Sequence, residues 1–180
     1  MGQLSPPTVA IIGRTGVGKT TQSRRVARRL GTEVIGPCGF EPWVVRHPAW
    51  GEVWERGAVL DGVPLCPVQA LAIADAGIRL DAVILLVVPA GVVSRRADGG
   101  GVDAPRRVDD HATVRAVADW YCTRGKLVVV DGVGSPESVT ERILRAMAWP
   151  DHEATVIDLR DRARPEVAGS LAEEPSGVTP

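Results

Sequence analysis

The 180-residue sequence contains no asparagine, two lysines (Lys19 and Lys126) and few aromatic residues. Its three cysteines, Cys38, Cys66 and Cys122, are odd in number and far apart, which argues against a disulfide framework or a cysteine zinc site and favours a reducing compartment. No apolar run approaches the roughly 18 residues of a membrane span, and the N-terminus lacks the features of a signal peptide. We therefore expect a cytoplasmic protein that does not bind membranes.

The charge is nearly balanced overall but unevenly distributed. The net charge is −1, yet residues 151–180 hold seven carboxylate side chains and only three arginines, so residues 1–150 are mildly basic. An excess this small is not typical of a nucleic-acid-binding surface. We expect one domain over residues 1–150, with a disordered acidic C-terminal tail over residues 151–180.

Short apolar runs alternate with amphipathic segments along the chain. The runs predict five strands, at residues 8–12, 33–35, 58–62, 82–88 and 126–132. The segments between them predict helices at 20–30, 68–77, 89–97, 107–124 and 135–147, whereas 36–57 and 98–105 have no regular pattern. Strands that are apolar throughout and separated by helices indicate an α/β fold, with a five-stranded parallel sheet between two helical layers. Residues 154–159 are a candidate edge strand.

The segment Gly13–Thr20 reads GRTGVGKT and matches the phosphate-binding pattern G-x-x-x-x-G-K-[ST] in full. Its glycines let the backbone wrap so that N–H groups point at phosphate oxygens, and the following helix adds positive charge from its N-terminus. Lys19 would reach the β- and γ-phosphates, and the Thr20 hydroxyl would join a Mg²⁺ shell. The predicted ATP-binding residues of this loop are Gly13, Gly16, Val17, Gly18, Lys19, Thr20 and Thr21. An ordinary glycine-rich turn is the alternative, which the flanking strand and helix disfavour.

Two classes of nucleotide-binding protein are excluded by missing motifs. A guanine-nucleotide switch normally reads its base with N-K-x-D, which a chain without asparagine cannot contain. The H-R-D and D-F-G segments of protein kinases are also absent from the sequence. An ATPase or a small-molecule kinase remains.

Several segments together resemble the adenylate kinase family of nucleoside monophosphate kinases. The loop continues as KTTQ (19–22), similar to the family's GKGTQ, and residues 57–89 resemble its GFLLDGFPRT segment with the following helix and strand. Residues 106–110, RRVDD, resemble its R-x-D-D segment, and residues 120–132 resemble its Tyr followed by G-x-L-x-x-V-D-G. The resemblance implies the P-loop fold of that family and spans residues 9–147.

The resemblance also implies roles for individual residues. Asp61 corresponds to the acid held near Mg²⁺ and the acceptor, and Gln69 to the glutamine that contacts the acceptor adenine. Arg96 corresponds to the arginine over the adenine of ATP. Arg107 corresponds to an arginine that gathers phosphate charge, and Arg115 is the nearest substitute for a second one. The alternatives are a turn residue for Asp61, an exposed amide for Gln69 and solvated charges for the arginines.

The chain departs from the family on the acceptor side. Leu65 stands where the family places an arginine on the acceptor phosphate, and the lid is reduced to residues 98–105. The segment before the third strand is also too short for the usual helical acceptor-binding domain. Within it, Arg46 is a candidate acceptor-binding residue, although a loop packed on the core is the alternative. His47 is interpreted as a hydrogen-bonding loop residue.

We predict Mg²⁺- and ATP-dependent phosphoryl transfer to a nucleoside monophosphate, by a monomer that binds no nucleic acid. Lys19, Arg107 and Arg115 are the predicted catalytic residues, and Thr20 and Asp61 the predicted metal ligands. Two alternatives stay open. One is a P-loop kinase for another small molecule, and the other is a nucleotide-binding protein with a decayed acceptor site.

Overall fold

The computed structural model describes residues 6–36, 51–97 and 110–147, with the side chains of 94–97 and 110 left out. Within these ranges the strands are β1 (Val9–Ile12), β2 (Glu33–Ile35), β3 (Ala58–Asp61), β4 (Ala82–Val87) and β5 (Leu127–Asp131). The helices are α1 (Lys19–Leu30), α2 (Gly51–Glu55), α3 (Pro67–Asp75), α4 (Ala90–Ala97), α5 (Asp110–Cys122) and α6 (Pro136–Met147).

The five strands form one parallel sheet in the order β2-β3-β1-β4-β5. Strand β1 lies at its centre, where Val9 pairs with Val59 on one side and with Ala82 on the other. The three central strands, β3, β1 and β4, are apolar almost throughout because helices cover both faces of the sheet. The predicted α/β fold, with its five-stranded parallel sheet, is confirmed.

The core has two halves, one on each face of the sheet. Successive strand residues point to opposite faces, so Ala10 and Ile12 enter one half while Val9 and Ile11 enter the other. Helices α3 and α5 complete the first half, with Ala70, Ile73, Val117, Ala118 and Tyr121. Helices α1 and α6 complete the second, with Val26, Ala27, Val139 and Ile143. The result is a three-layer arrangement.

Tyr121 brings a polar group into the first half of the core. Its side chain is 6% exposed, and its hydroxyl has no hydrogen-bond partner among the described residues. Burial disfavours the charged phenolate and raises the pKa of Tyr121 to about 12, although the charge of Arg124 opposes the shift. The phenol is therefore neutral across the physiological range.

The observed helices agree with most of the predicted ones to within a few residues, with one correction. Helix α6 begins as predicted, because the Ser135 hydroxyl accepts a hydrogen bond from the Ser138 N–H and Pro136 is the first helical residue. The prediction that residues 36–57 contain no regular element is wrong, because α2 lies within this segment. This five-residue helix is too short for a helical period, yet Val53 and Trp54 pack against the core.

Some predicted features lie outside the described residues. These are the flexible loop at 98–105, the edge strand at 154–159 and the acidic tail at 151–180 with its domain boundary. The division into a domain and a tail stays a prediction. Among the residues that are described, no helix is both long and apolar enough to cross a membrane.

Candidate active site

The loop between β1 and α1 is fixed at its first residue by close contact with β4. Gly13 has φ 147°, and a Cβ atom there would lie 2.7 Å from the backbone oxygen of Leu86. Val17, inside the loop, is 2% exposed and belongs to the core. The loop therefore rests directly on the sheet, and only a glycine at position 13 permits that approach.

The second half of the loop leads into α1. Gly16 has φ 82°, and a Cβ atom on it would lie 2.9 Å from Cγ1 of Val93 in α4. Gly18 is the N-cap residue of α1, has no side chain to cap the helix, and is followed by a first turn without acidic residues. The first-turn N–H groups of Lys19, Thr20 and Thr21 and the helix dipole face the loop, which is the arrangement that binds phosphate at helix N-termini.

Lys19 lies across the loop toward the end of β3. Its Nζ donates a hydrogen bond to the backbone oxygen of Arg14 at 2.9 Å. A Cβ atom on Gly62 would lie 3.2 Å from Cε of Lys19, so the lysine side chain passes over the turn that follows β3. The ammonium group is thus held between the loop and the residues next to Asp61.

Asp61 ends β3 and pairs in register with Ile11, which places its carboxylate at the same edge of the sheet as the loop. The residue is 8% exposed, and its Oδ1 accepts a hydrogen bond from the Ser23 hydroxyl at 3.2 Å. In α/β sheets, ligands bind outside this carboxyl edge of the strands. Asp61 is therefore held in place by α1, the helix that also carries Lys19.

The donor groups near the loop have the chemistry that Mg²⁺ prefers. Asp61 offers a carboxylate and Thr20 an exposed hydroxyl at the start of α1. Mg²⁺ is usually held by one or two carboxylates together with substrate phosphates and water, rather than by a cage of protein ligands. Among the described residues no group of three or more His, Cys, Asp or Glu is placed to hold a metal ion. Asp61 and Thr20 therefore fit a Mg²⁺ ion that binds together with the phosphates of a nucleotide.

Gln69, a predicted acceptor-binding residue, is hydrogen-bonded to the turn that precedes its own helix. Its Oε1 accepts a hydrogen bond from the Leu65 N–H at 2.6 Å. Helix α3 also exposes two apolar side chains, Val68 at 69% and Leu71 at 46%. The turn of residues 62–66 contains no charged residue. This side of the site is therefore more apolar than the loop side.

The predicted arginines are only partly described. Arg115 lies on α5, is exposed, and has its Nε 3.8 Å from Oδ2 of Asp119 one turn later. Arg96 lies within α4, but its side chain is not among those described. Arg46 and Arg107 lie outside the described residues. The structure brings together the loop, Lys19 and Asp61, and the roles of the arginines stay predictions.

Helix α1 is bonded to α6 by a cluster of polar side chains, of which Gln22 and Thr140 are buried. Gln22 is 4% exposed; its Nε2 donates to the backbone oxygen of Pro136 at 3.1 Å and its Oε1 accepts from the Thr140 hydroxyl at 2.7 Å. Arg25 donates from Nε to the Thr140 hydroxyl at 3.0 Å and pairs with Glu137 at 2.8 Å. The pKa of Glu137 is lowered, first by its own backbone N–H and then by the charge of Arg25. This cluster fixes the helix that holds the loop.

Three residues with roles near the loop were not predicted from the sequence as functional. Ser23 is fully buried and bonds Asp61, Gln22 bonds α6, and Arg14 has a buried Nε without a hydrogen-bond partner among the described residues. A helical period places Ser23 on the same face as Lys19, which is the one available signal for it. Gln22 is the last residue of the KTTQ segment that resembles the family's GKGTQ, and for Arg14 the sequence offers no signal.

The sheet order, and the phosphate loop between its central strand and α1, define a P-loop α/β protein. The adenylate kinase of Deinococcus radiodurans is 34% identical to this chain over an alignment of 200 positions, which covers 82% of this chain and 100% of that protein. The adenylate kinases of Thermus thermophilus and Azorhizobium caulinodans are 29% and 28% identical, over 77% and 75% of this chain and 96% and 95% of their own. No protein-family model matches the chain. The chain belongs to the adenylate kinase family.

Proposed function

We propose that this protein transfers a phosphoryl group from ATP to a nucleoside monophosphate in the presence of Mg²⁺. The observation that carries the proposal is the phosphate loop with Lys19 folded over it and Asp61 at the adjacent edge of the sheet. Membership in the adenylate kinase family supports the reaction class, since the similar proteins are named adenylate kinases. An oxygen of the acceptor phosphate attacks the γ-phosphorus, the bond to the β–γ bridging oxygen breaks, and ADP leaves.

The residues of the loop account for binding of the donor. The N–H groups at the start of α1 and the Lys19 ammonium neutralise charge on the β- and γ-phosphates. Arg96 is proposed to contact the donor nucleotide, and Arg107 and Arg115 the group in transfer. Little covalent chemistry is required of the protein, because positioning and charge neutralisation supply most of the rate of phosphoryl transfer.

Thr20 and Asp61 are the residues proposed to hold Mg²⁺. When bound there, Mg²⁺ would supply positive charge against the charge that develops on the phosphates during transfer. Asp61 is held for this role by its hydrogen bond from Ser23, which fixes the carboxylate relative to α1. Gln69 and Arg46 are the residues proposed for the acceptor.

A second candidate function is a P-loop kinase for an acceptor without a phosphate. It is favoured by Leu65, an apolar side chain in a turn without charge, and by Gln69, whose Oε1 is bonded to the Leu65 N–H. The exposed Val68 and Leu71 add apolar surface to the same helix. The remaining alternative is a protein that binds nucleotide at the loop but phosphorylates no acceptor.

An acceptor panel with Mg²⁺ and ATP tests the proposal. Nucleoside monophosphates, sugars, small hydroxy acids and nucleosides are compared by the rate of ADP formation. ADP formation that depends on a monophosphate supports the proposal, and a preference for an uncharged acceptor supports the second candidate. ATP binding with no acceptor faster than slow hydrolysis supports the binding protein.

Lys19→Ala provides the test of the loop itself. Loss of a charged donor aimed at the transferring group is expected to lower the rate by about 10²–10³-fold. Lys126→Ala is the matched control, because the chain contains only these two lysines and Lys126 lies before β5. Full activity in Lys19→Ala would refute the assignment of the loop.

A further inference from the structure

We propose that Arg14, the second residue of the phosphate loop, is a phosphate-binding residue whose guanidinium group bonds the polyphosphate of the bound nucleotide. The proposal rests on the proposed function, because it adds a residue to the same site. No role was assigned to Arg14 by the sequence pattern, in which this position accepts any residue. The evidence is the environment of its side chain.

One nitrogen of the Arg14 guanidinium, Nε, is shielded from water and has no compensating partner among the described residues. The residue is partly buried, and its Nε is fully buried with no hydrogen-bond acceptor among the described residues. A buried donor without an acceptor is unfavourable, since the hydrogen bond it made to water is lost and not replaced. Such groups in folded proteins call for an explanation, and one explanation is a ligand.

Other described arginines do not share this environment. Arg25 pairs with Glu137, Arg56 with Glu52, Arg79 with Asp81 and Arg142 with Asp131. The arginines of α1 for which no ion pair is found among the described residues, Arg24, Arg28 and Arg29, are exposed to solvent. Arg14 is thus the described arginine that combines burial of a guanidinium nitrogen with the lack of a carboxylate.

The position of Arg14 is suited to an anion. Its backbone oxygen accepts hydrogen bonds from the Lys19 Nζ at 2.9 Å and from the Val17 N–H at 3.4 Å, so the residue forms part of the loop wall next to the lysine. The planar guanidinium matches phosphate oxygens in two-point hydrogen bonding, which an ammonium group cannot do. A polyphosphate would supply the acceptor that Arg14 Nε lacks.

Charge at the site supports the same assignment. The turn of residues 62–66, across the loop, contains no cationic side chain. Among the described residues of the loop, the first turn of α1 and the turn at 62–66, Lys19 and Arg14 are the cationic residues, and the Lys19 Nζ bonds the backbone oxygen of Arg14. A second cation beside Lys19 would offset part of the phosphate charge that this turn leaves unmatched.

Binding of inorganic tripolyphosphate and of Mg²⁺-ATP by calorimetry tests the proposal on the full chain. Arg14→Met keeps the volume and removes the guanidinium, and it is expected to weaken tripolyphosphate binding by about 10- to 100-fold. Arg14→Lys keeps the positive charge but removes the planar guanidinium that bonds two oxygens at once, so an intermediate loss of affinity is expected. Arg24→Met is the matched control, because Arg24 is exposed on α1. All proteins are compared at one ionic strength, since screening changes such affinities.

Thermal unfolding without ligand separates a binding role from a structural one. If Arg14 binds a ligand, Arg14→Met removes an unsatisfied donor, and the melting temperature without ligand stays the same or rises. A melting temperature that falls, with affinity unchanged, would overturn the proposal and assign Arg14 to the folding of the loop.

Lys19→Ala distinguishes failure of this inference from failure of the proposed function. If Lys19→Ala loses binding while Arg14→Met binds like Arg24→Met, the inference on Arg14 is overturned and the loop assignment stands. If both variants bind tripolyphosphate and ATP like the unmodified protein, the loop assignment falls, and the inference falls with it.

Discussion

The polar cluster between α1 and α6 allows a prediction in which the smaller change is the more damaging one. Two variants are compared, Gln22→Met and Thr140→Val, and each replaces a polar side chain by an apolar one of similar volume. The Thr140 hydroxyl lies 2.7 Å from Oε1 of Gln22 and 2.7 Å from the backbone oxygen of Pro136. A hydroxyl has one proton, so it can donate to only one of these oxygens at a time.

The two variants differ in what they leave unpaired. In Gln22→Met, the Thr140 hydroxyl donates to Pro136, and both groups stay satisfied, so the cost is that of one ordinary hydrogen bond, about 1 kcal/mol. In Thr140→Val, the Oε1 of Gln22 loses its donor in a side chain that is 4% exposed, and the Arg25 Nε loses the hydroxyl that accepts its hydrogen bond. A buried acceptor left without a donor costs about 1–3 kcal/mol in addition to the lost bond. We therefore expect Thr140→Val to destabilise by about 2–4 kcal/mol.

Urea unfolding, monitored by circular dichroism, measures the difference in stability between the variants as a shift in the midpoint urea concentration at an unchanged m-value. Thermal midpoints give a second reading, at about 2–4 °C per kcal/mol for a chain of this size. Thr123→Val is the control, since this exposed threonine should change stability by less than about 0.5 kcal/mol.

The double variant Gln22→Met/Thr140→Val gives the sharpest outcome. Because it removes the Gln22 Oε1 that Thr140→Val leaves without a donor, it should be more stable than Thr140→Val alone. A cost for Gln22→Met equal to or above that of Thr140→Val, or simple additivity in the double variant, would refute the reasoning.

Two further predictions concern the loop and the core. Gly13→Ala places a Cβ 2.7 Å from the backbone oxygen of Leu86 at φ 147°, so we expect a loss of stability of about 1–3 kcal/mol and weaker ATP binding. Gly91→Ala is the control, because it makes the same change in α4, where a Cβ meets nothing within 4 Å. It should stabilise the protein by about 0.5–1 kcal/mol. Equal effects of the two variants on the free energy of unfolding would contradict the contact between Gly13 and β4. For Tyr121, the raised pKa means that stability from the buried neutral phenol is complete below about pH 10 and is lost as pH rises toward about 12. Tyr121→Phe should abolish that alkaline loss in unfolding measurements at pH 9–12, and an unchanged pH profile would count against the buried phenol.

The layered fold could be predicted because the three central strands, β3, β1 and β4, are covered on both sides. Such strands are apolar almost throughout, so the run AVILLV at Ala82–Val87 is visible without knowledge of its neighbours. The end of α1 at Gly31 and the start of α6 at Ser135 carry local signals that depend on one or two residues. The phosphate loop is likewise contiguous, and its chemistry follows from its spacing.

The rest of the site depends on residues far apart in the chain. Ser23 meets Asp61 across 38 positions, and Gln22 meets Thr140 across 118. Spacing along the sequence contains no information on such pairs, because a polar side chain on an amphipathic helix is equally compatible with solvent. Helix α2 was missed for a different reason, since five residues are too few to establish a helical period.

The central place of β1 has a consequence for the order in which the protein is made. Its residues, Val9–Ile12, are translated before those of both neighbours, since β3 begins at Ala58 and β4 ends at Val87. Translation must therefore reach Val87 before the strand that supports the phosphate loop has both partners. Parallel pairing over such separations is a slow step that leaves apolar segments open to aggregation. A nascent chain that stalls before β4 has its complete phosphate-binding motif in sequence without the sheet that shapes it, so added nucleotide cannot rescue it.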